Sequence, residues 1–369
     1  MEKRNYIFID ALRAYAVIHV LLVHIFVTLK YNDTFHGNLL VLIHAGFMGV
    51  DLFFVISGFV ISLSILRGIE NQGAKKFVSS YIRHRLARIA PLYILTSIIF
   101  ITFVDAVGFW QKHNMRWCME NIISHILFIH NWFLDYTGSI NGAAWSLGVE
   151  MQFYVIIILT IILWKDKPPL ALALLGISIA VPWRAFCAEH WRGDVIMILY
   201  TSQQIFGSLD AFFAGAGIAL IVHSRNHFLH RYIVASWRNT AIWFMLFILF
   251  SILVWHIYYM YPYHTPSYWE RTTMVAGWRS LLALTLALFL LSAITLPVRV
   301  WLVRALAPLL YIGKISYGIY LWHFPVIYAF MKTGLPRARM AVLIIFSTLL
   351  LASFSWHFFE KPLIDKYRK

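Results

Sequence analysis

Two ionisable side chains with complementary chemistry lie in the first apolar stretch of the chain. Arg13 can hold an anion, and His24 can accept or donate a proton near neutral pH. Residues 9–29 are long enough to cross a bilayer as a helix, and eleven steps of about 100° place Arg13 and His24 on one face, about 16 Å apart. Asp10 lies one turn before Arg13 and can pair with it. An ionisable group at membrane depth costs about 3 kcal/mol, so three such groups on one face of a helix favour a polar cavity over contact with lipid. The structural alternative is a buried ion pair beside a histidine of the protein core.

Arg85 and Arg88 indicate a site for a phosphorylated ligand. They belong to a segment, 67–88, with six lysines and arginines, and they are neighbours if the segment is helical. Pro91 suits the first turn of a helix and would place both near its N-terminus, where free N–H groups favour anions. Guanidinium groups pair well with phosphates. The alternative is ordinary positive charge on the cytoplasmic side, bound to anionic lipid.

The composition predicts an all-α, polytopic bundle of membrane helices that forms a single domain over residues 1–369. The chain is 61% hydrophobic and 13% charged, against about 25% charged in soluble domains, and its mean hydropathy is +0.72. Cys118 and Cys187 have neither metal nor redox spacing, so we expect no metal and no disulfide framework. The net charge of +15 follows from the positive-inside rule, and no nucleic-acid partner is expected.

About ten spans are predicted, and they place both termini in the cytoplasm. The first span is too long for the apolar core of a cleavable signal peptide, so we expect a retained helix. With the N-terminus inside, 19 of the 31 lysines and arginines fall in cytoplasmic segments and nine in outer ones. The predicted spans are 8–29, 45–66, 89–108, 146–164, 169–185, 205–223, 239–260, 274–294, 309–330 and 339–358.

Residues 109–145 form the longest predicted outer segment. They are too polar to span twice, yet ENIISHILFIHNWF reads as a short amphipathic helix. We expect a re-entrant or surface-lying cap over an outward cavity, because long outer loops are usually functional. A merely structural loop is the alternative.

Six motifs in order carry a resemblance to a known family. They are DALRAYAVIHVLLVH at the first span, GVDLFFVISGF (49–59), RLARIAPLY (85–93), AAWSLGVEMQFY (143–154), GKISYGIYLWH (313–323) and FFEKP (358–362). Over essentially its full length the chain resembles the acyltransferase 3 family of integral-membrane O-acyltransferases. One departure is His84, where an arginine often precedes the two arginines of the third motif.

The resemblance implies a reaction and its partners. Such proteins typically take an acyl group, usually acetyl, from coenzyme A on the cytoplasmic side and transfer it to a hydroxyl of a sugar or glycolipid that faces out. A polysaccharide precursor, such as one for lipopolysaccharide or O-antigen in a bacterial inner membrane, is the expected acceptor. Acetyl-CoA would be a co-substrate, membrane lipid would surround the enzyme, and no metal is implied. Some members carry an extra SGNH-type esterase domain; this chain shows none and is expected to act alone or with a separate extracytoplasmic partner.

Depth in the membrane suggests which residues act together. If the first span starts near residue 7, His24 lies about 25 Å in, and Glu150 lies about 7 Å below the outer surface, so the two can share one layer. A neutral histidine can take the proton of an attacking sugar hydroxyl while a carboxylate orients the ring. We therefore predict three catalytic residues. His24 is the general base, Glu150 orients the His24 ring or accepts a hydrogen bond from the substrate hydroxyl, and Arg13 holds the polar arm of the donor or the thioester oxygen. An acid that merely stabilises the start of a helix is the alternative for Glu150.

Other polar residues receive weaker assignments. Lys314 is a second candidate donor contact, and Trp145, at the start of the fourth span, is a candidate substrate contact. Asp210 is expected to contact substrate or to pair with Arg279, and Asp51 is expected to cap a helix or to pair within the bundle. His323 is nine residues beyond Lys314, about 180° around a continuous helix, so those two cannot line one face.

Two other function classes share these features. A transporter of a lipid-linked sugar or small solute would also be a polytopic bundle with intramembrane charges. We find no inverted repeats with matched broken helices, which would favour that reading. A membrane acyltransferase of another superfamily that acts on lipid is the second alternative. An acyl-enzyme route is less favoured, because no G-x-S-x-G motif is present and neither cysteine sits in a matching motif.

Overall fold

Every regular element in the described part of the chain is a helix, as predicted. The computed structural model describes residues 6–31, 38–224 and 228–367. In chain order the α-helices are α1 (Ile9–Thr28), α2 (Asn38–His44), α3 (Met48–Gln72), α4 (Ala74–Ile99), α5 (Ala106–Trp110), α6 (Met115–Ile126), α7 (Trp145–Trp164), α8 (Pro169–His190), α9 (Val195–Ser202), α10 (Ile205–His223), α11 (His230–Ile233), α12 (Trp237–Met260), α13 (Pro266–Trp269), α14 (Arg279–Thr295), α15 (Val300–Ala305), α16 (Ala307–Lys314), α17 (Ser316–Met331), α18 (Arg337–Ser355) and α19 (Lys361–Tyr367). Three π-helical segments, Phe100–Val104, Met274–Trp278 and Trp356–Glu360, adjoin α4, α14 and α18.

Nine of the ten predicted spans have a counterpart that is long and apolar enough to cross a membrane. Within residues 6–31, 38–224 and 228–367 these are Ile9–Thr28, Val41–Gln72, Phe77–Val104, Trp145–Trp164, Pro169–His190, Ile205–His223, Trp237–Met260, Met274–Thr295 and Arg337–Lys366. The remaining prediction, 309–330, is divided at Ile315 between α16 and α17. The 16 residues of α17 are fewer than the roughly 20 that a straight crossing needs.

The chain divides into two compact units, each assembled from separated segments. The first unit contains residues 1–19, 37–71 and 153–314, and the second contains 20–36, 72–152 and 315–369.

Glycines allow close helix packing in the first unit. A Cβ on Gly58 of α3 would lie 2.0 Å from the Phe212 carbonyl oxygen of α10, and one on Gly215 would lie 2.0 Å from the Val55 carbonyl oxygen. Only glycine fits at both points, because a backbone carbonyl cannot move aside cheaply. Small residues at a crossing let membrane helices approach closely, which is the main source of their packing energy.

In the second unit α17 packs against α18 and α4. Gly318 meets the Cα of Ala352, where an added Cβ would lie only 3.1 Å away. The Tyr317 hydroxyl donates to the Ile89 carbonyl oxygen at 2.7 Å, which ties α17 to α4. These contacts fix the helix that carries His323.

The 109–145 segment contains an amphipathic helix, but its bounds differ from the prediction: α6 begins at Met115 and ends at Ile126, so only the first half of the predicted stretch 120–133 is α-helical. In α6 the exposed residues Met115, Met119, Ile123 and Ile126 form one apolar stripe. The opposite face is buried and polar, and it includes Asn121, which donates to the Ser139 hydroxyl at 2.8 Å. An outward apolar face suits a helix that lies in the lipid interface rather than one covered by water. The surface-lying alternative is therefore the one that the helix supports.

Two histidines, one in the last turn of α6 and one shortly after it, are stacked on each other. The rings of His125 and His130 lie 4.0 Å apart between centroids, with their planes 14° from parallel, and both side chains are buried. Burial lowers the pKa of His125 to about 3 and that of His130 to about 4. Both rings are neutral at physiological pH.

Candidate active site

A pair of histidines forms the centre of the candidate site, in the second unit. His24 of α1 is partly exposed, and its Nδ1 lies 3.0 Å from Nε2 of His323 on α17. The two rings are stacked, with centroids 5.0 Å apart, and the Phe324 ring lies 4.6 Å from His24. His323 itself is 1% exposed. One face of the His24 ring is therefore fixed by α17.

His323 is fixed by its own helix. Its Nδ1 lies 2.7 Å from the Tyr320 carbonyl oxygen, one turn earlier in α17. Both nitrogens of His323 are thereby engaged, one with its own helix and the other with His24.

The turn that precedes α7 fixes α17 from a second direction. Asn141, with a left-handed φ of 62°, is fully buried and donates its Nδ2 to the Leu321 carbonyl oxygen at 2.9 Å. The Tyr320 hydroxyl donates to the Ala143 carbonyl oxygen at 3.0 Å and lies 2.6 Å from the Ser146 hydroxyl. This packing explains why the AAWSLG and SYGIYLWH motifs occur together: they form one hydrogen-bonded support around His323.

The structure brings His24 together with His323, while the pairing of His24 with Glu150 stays a prediction. Glu150 is half-buried in α7, and its charge acts on the hydroxyls of Tyr320 and Tyr81. Two residues later, Gln152 donates to the Asn131 side-chain oxygen at 2.8 Å and anchors this part of α7. Trp145, the other predicted substrate contact, is half-buried as the first residue of α7.

The two predicted donor arginines lie on α4, but the local argument for their position is wrong. The helix begins at Ala74 and runs through Pro91, so Arg85 and Arg88 are in its interior rather than near an N-terminus with free N–H groups. Gly73, with φ of 76°, provides the break that Pro91 was expected to provide. A proline inside a membrane helix is tolerated because neighbours compensate for its missing hydrogen bond.

Each of these arginines has an interaction that sequence inspection did not reveal. The Arg85 guanidinium carbon lies 5.3 Å from the centre of the Tyr81 ring, one turn earlier. Arg88 lies within electrostatic range of the buried Glu360, whose Oε1 accepts a hydrogen bond from the Ser355 hydroxyl at 3.1 Å. The positive charge of Arg88 therefore acts on Glu360 whether or not Arg88 binds a ligand.

Arg13 pairs with Asp10 at 3.0 Å in the first unit, which confirms the predicted ion pair. Its side chain is 21% exposed. Lys314 is exposed as the last residue of α16. The helix is interrupted directly after Lys314, at Ile315. The predicted angle of about 180° between Lys314 and His323 assumed a continuous helix and therefore does not apply.

Asp210 is buried in a charge network of the first unit. It accepts hydrogen bonds from Arg184 at 2.8 Å and from the Ser280 hydroxyl at 2.6 Å, so its partner is Arg184 rather than Arg279. Arg279 pairs with Asp51 at 2.6 Å, as expected for a pairing within the bundle. Because Asp210 is 3% exposed, its geometry favours a structural role over substrate contact. Among the described residues, no group of three or more His, Cys, Asp or Glu side chains could hold a metal ion.

The sequence assigned no role to two residues that the structure buries in hydrogen-bonded networks. Arg184 is fully buried and binds two backbone carbonyls besides Asp210, but it stands alone in an apolar helix with no motif around it. His323 lies within the GKISYGIYLWH motif. Relating this histidine to His24 of the first span, instead of to Lys314, could have identified the pair.

Sequence comparison gives the family to which this arrangement belongs. Residues 6–357 match the family described as an acyltransferase domain. The chain belongs to the acyltransferase 3 family. It is thus an integral membrane protein of an O-acyltransferase family, and this assignment favours the enzyme over the transporter alternative.

Relatives in three bacteria match almost the whole of this acyltransferase 3 chain. YrhL of Bacillus subtilis (strain 168), provisionally named a peptidoglycan O-acetyltransferase, is 29% identical over 377 residues, which cover 96% of this chain and 54% of YrhL. SACOL0978 of Staphylococcus aureus (strain COL), provisionally named an O-acetyltransferase, is 26% identical over 98% of this chain and 58% of its own length. OatA of Listeria monocytogenes serovar 1/2a (strain EGD-e), named a peptidoglycan O-acetyltransferase, is 26% identical over 96% of this chain and 55% of its own length.

The chain spans about half the length of the curated relatives it matches. No solved structure matches it.

Proposed function

We propose that this protein transfers an acetyl group from acetyl-CoA to a hydroxyl of a cell-envelope glycan. The family assignment supports acyl transfer, and the names of YrhL and OatA support an acetyl group and a peptidoglycan-type acceptor. Those names replace the lipopolysaccharide and O-antigen expectation as the better guide to the acceptor. A glycan still attached to its membrane lipid would suit an enzyme embedded in the cytoplasmic membrane.

In this proposal His24 is the general base. As the glycan hydroxyl oxygen attacks the thioester carbonyl carbon, His24 takes the hydroxyl proton. The tetrahedral intermediate then collapses, the carbon–sulfur bond breaks, and His24 returns the proton to the departing thiolate of coenzyme A. The products are an O-acetyl ester and free coenzyme A, with no acyl-enzyme intermediate. A positioned base of this kind typically contributes about 10²–10⁴-fold to the rate.

Donor binding in this proposal falls to positively charged side chains. Arg85 and Arg88 would pair with the phosphates of coenzyme A, with Arg13 and Lys314 as further contacts. Arg13 would hold the polar arm of the donor or the thioester oxygen. Glu150 and Trp145 would contact the acceptor sugar.

The observation that carries the proposal is a partly exposed residue, His24, whose ring is held by His323 in an acyltransferase 3 chain. Its direct test uses the full chain in lipid nanodiscs, with acetyl-CoA labelled in the acetyl group. The acceptor panel contains soluble peptidoglycan fragments, a lipid-linked cell-wall saccharide and an O-antigen saccharide. We expect label in a peptidoglycan-type acceptor that mild alkali releases as acetate, as an ester requires. Absence of transfer to every glycan, or transfer only to lipid, would overturn the proposal.

A further inference from the structure

The proton positions in the histidine pair follow from its hydrogen-bond partners. The Tyr320 carbonyl oxygen can only accept a hydrogen bond, so His323 must donate to it from Nδ1. A neutral imidazole carries one N–H, which leaves a lone pair on His323 Nε2. That lone pair faces Nδ1 of His24 at 3.0 Å, so His24 must be the donor in this bond. The single N–H of neutral His24 is then on Nδ1, and its lone pair is on Nε2.

Burial strengthens this assignment. His323 is 1% exposed, and a charged imidazolium in that position would be costly. A protonated His323 would also donate from both nitrogens and leave His24 as the acceptor at Nδ1. His24 would then carry its proton on Nε2, which is the wrong tautomer for a base at that atom.

We propose that His323 is a positioning residue that holds His24 in the tautomer whose Nε2 can take the acceptor's proton. The proposal rests on the proposed function, in which His24 is the general base. His323 does for His24 what a carboxylate does in many hydrolases: it fixes the ring and its tautomer, and it accepts a hydrogen bond from the imidazolium that forms during the reaction. Glu150 is not required for this task.

The contacts around His323 would hold the histidine pair in a fixed position. Hydrogen bonds from Asn141 to the Leu321 carbonyl oxygen and from the Tyr320 hydroxyl to the Ala143 carbonyl oxygen fix α17 beside the Tyr320–His323 hydrogen bond. The Phe324 ring meets Gly142, where an added Cβ would lie 3.1 Å away, and it also packs on His24. A base must be held within a fraction of an ångström of its productive geometry, and these contacts provide that rigidity.

The first test measures the tautomer directly and does not depend on activity. Full-length protein with ¹⁵N-labelled histidine, in nanodiscs, is compared with its His24→Ala variant so that the His24 signals are assigned. We expect the protonated-nitrogen shift on Nδ1 of His24 and the unprotonated shift on Nε2. Protonation of Nε2 in the wild-type protein would overturn the inference, even if the enzyme is an active acetyltransferase.

The second test separates positioning from packing with two substitutions. His323→Leu keeps an apolar side chain of similar size but offers no acceptor to His24, whereas the amide oxygen of His323→Gln can accept the hydrogen bond. We expect His323→Leu to lower kcat about 10²-fold with KM for acetyl-CoA unchanged. His323→Gln should retain kcat to within about tenfold of wild type.

The matched control is His125→Leu, which also removes a stacked, buried histidine from the second unit. It should lower thermal stability without lowering kcat. Equal loss of kcat in His323→Leu and His323→Gln, or wild-type kcat in His323→Leu, would overturn the inference. If His323→Leu fails to fold, the ¹⁵N measurement on the wild-type protein decides the question. An inactive wild-type protein with the expected tautomer would contradict the proposed function alone.

Discussion

At the scale of single residues, local pairs could be predicted from the sequence and distant ones could not. Arg13 and Asp10 are one helical turn apart, so their ion pair follows from helix geometry. His24 and His323 are 299 positions apart, and no periodicity within either helix relates them. Depth alone suggested Glu150 as the partner of His24, because depth fixes a layer of the membrane but not the direction in which a side chain points.

The stacked pair of His125 and His130 makes stability dependent on pH. Burial lowers both pKa values, to about 3 and about 4, whereas an unfolded histidine titrates near 6.5. Between about pH 6.5 and pH 4 the unfolded state therefore binds more protons, so stability falls as pH falls, by up to about 1.4 kcal/mol per pH unit for each histidine. We expect thermal unfolding in detergent to occur at a lower temperature at pH 5 than at pH 7.5, and the difference to shrink in His125→Leu. Identical wild-type unfolding curves at the two pH values would contradict this account.

At the scale of helices, the sequence located the spans but not all of their ends. Hydropathy finds the apolar centre of α4, yet the helix begins well before the membrane at Ala74 and passes through Pro91. Proline signals a helix start only when no neighbouring helix stabilises a kink, and hydropathy carries no such information. The same limitation applies to the predicted span at 309–330, whose break at Ile315 has no proline or glycine at that position to mark it.

The arginines of α4 provide a test of donor binding. Arg85→Ala and Arg88→Ala should each weaken acetyl-CoA binding about tenfold, since a charge-assisted contact to phosphate is worth roughly 1.5–3 kcal/mol. Isothermal titration of the protein in nanodiscs measures this. Arg83→Ala, an exposed arginine on the same helix, is the matched control and should bind normally.

The neighbour of Arg88 allows its two roles to be separated. Arg88→Ala removes a positive charge that acts on the buried Glu360, so the thermal stability should fall, and adding Glu360→Gln should restore it. Acetyl-CoA binding should remain weak in the double variant. Full recovery of binding there, or normal binding when both Arg85 and Arg88 are alanine, would return these residues to a purely structural role.

The crossing of α3 and α10 provides a test of the packing. Gly58→Ala places a Cβ 2.0 Å from the Phe212 carbonyl oxygen, so the helices must separate. We expect a loss of roughly 1–3 kcal/mol in the free energy of unfolding, measured by thermal or denaturant unfolding in detergent. Gly277→Ala is the control, because its Cβ would meet nothing within 4 Å. Equal stability of the two variants would show that the crossing is looser than described.

At the scale of the whole molecule, the charge distribution predicts the orientation in the membrane. Lysines and arginines favour cytoplasmic segments by about two to one when the N-terminus is inside. Cysteines introduced at Asn71 and Asp166 should react only with reagents in the cytoplasm, and one at Lys112 only with reagents outside. The native Cys118 and Cys187 are buried and should give little background. Labelling of Asn71→Cys from outside would place Arg85 and Arg88 on the wrong side for coenzyme A.

The central claim, that His24 acts as the base, is tested most directly by comparing two histidines of one helix. His19 bonds its own helix through Nδ1, 2.8 Å from the Tyr15 carbonyl oxygen, and lines an apolar cavity of about 360 Å³ in the first unit. The measurement is the single-turnover rate of acetyl transfer in full-length protein saturated with acetyl-CoA. We predict a loss of about 10²–10⁴-fold in His24→Ala, with unchanged acetyl-CoA affinity and thermal stability, and a rate within about threefold of wild type in His19→Ala. A wild-type rate in His24→Ala, or an equal loss in both variants, would contradict the account.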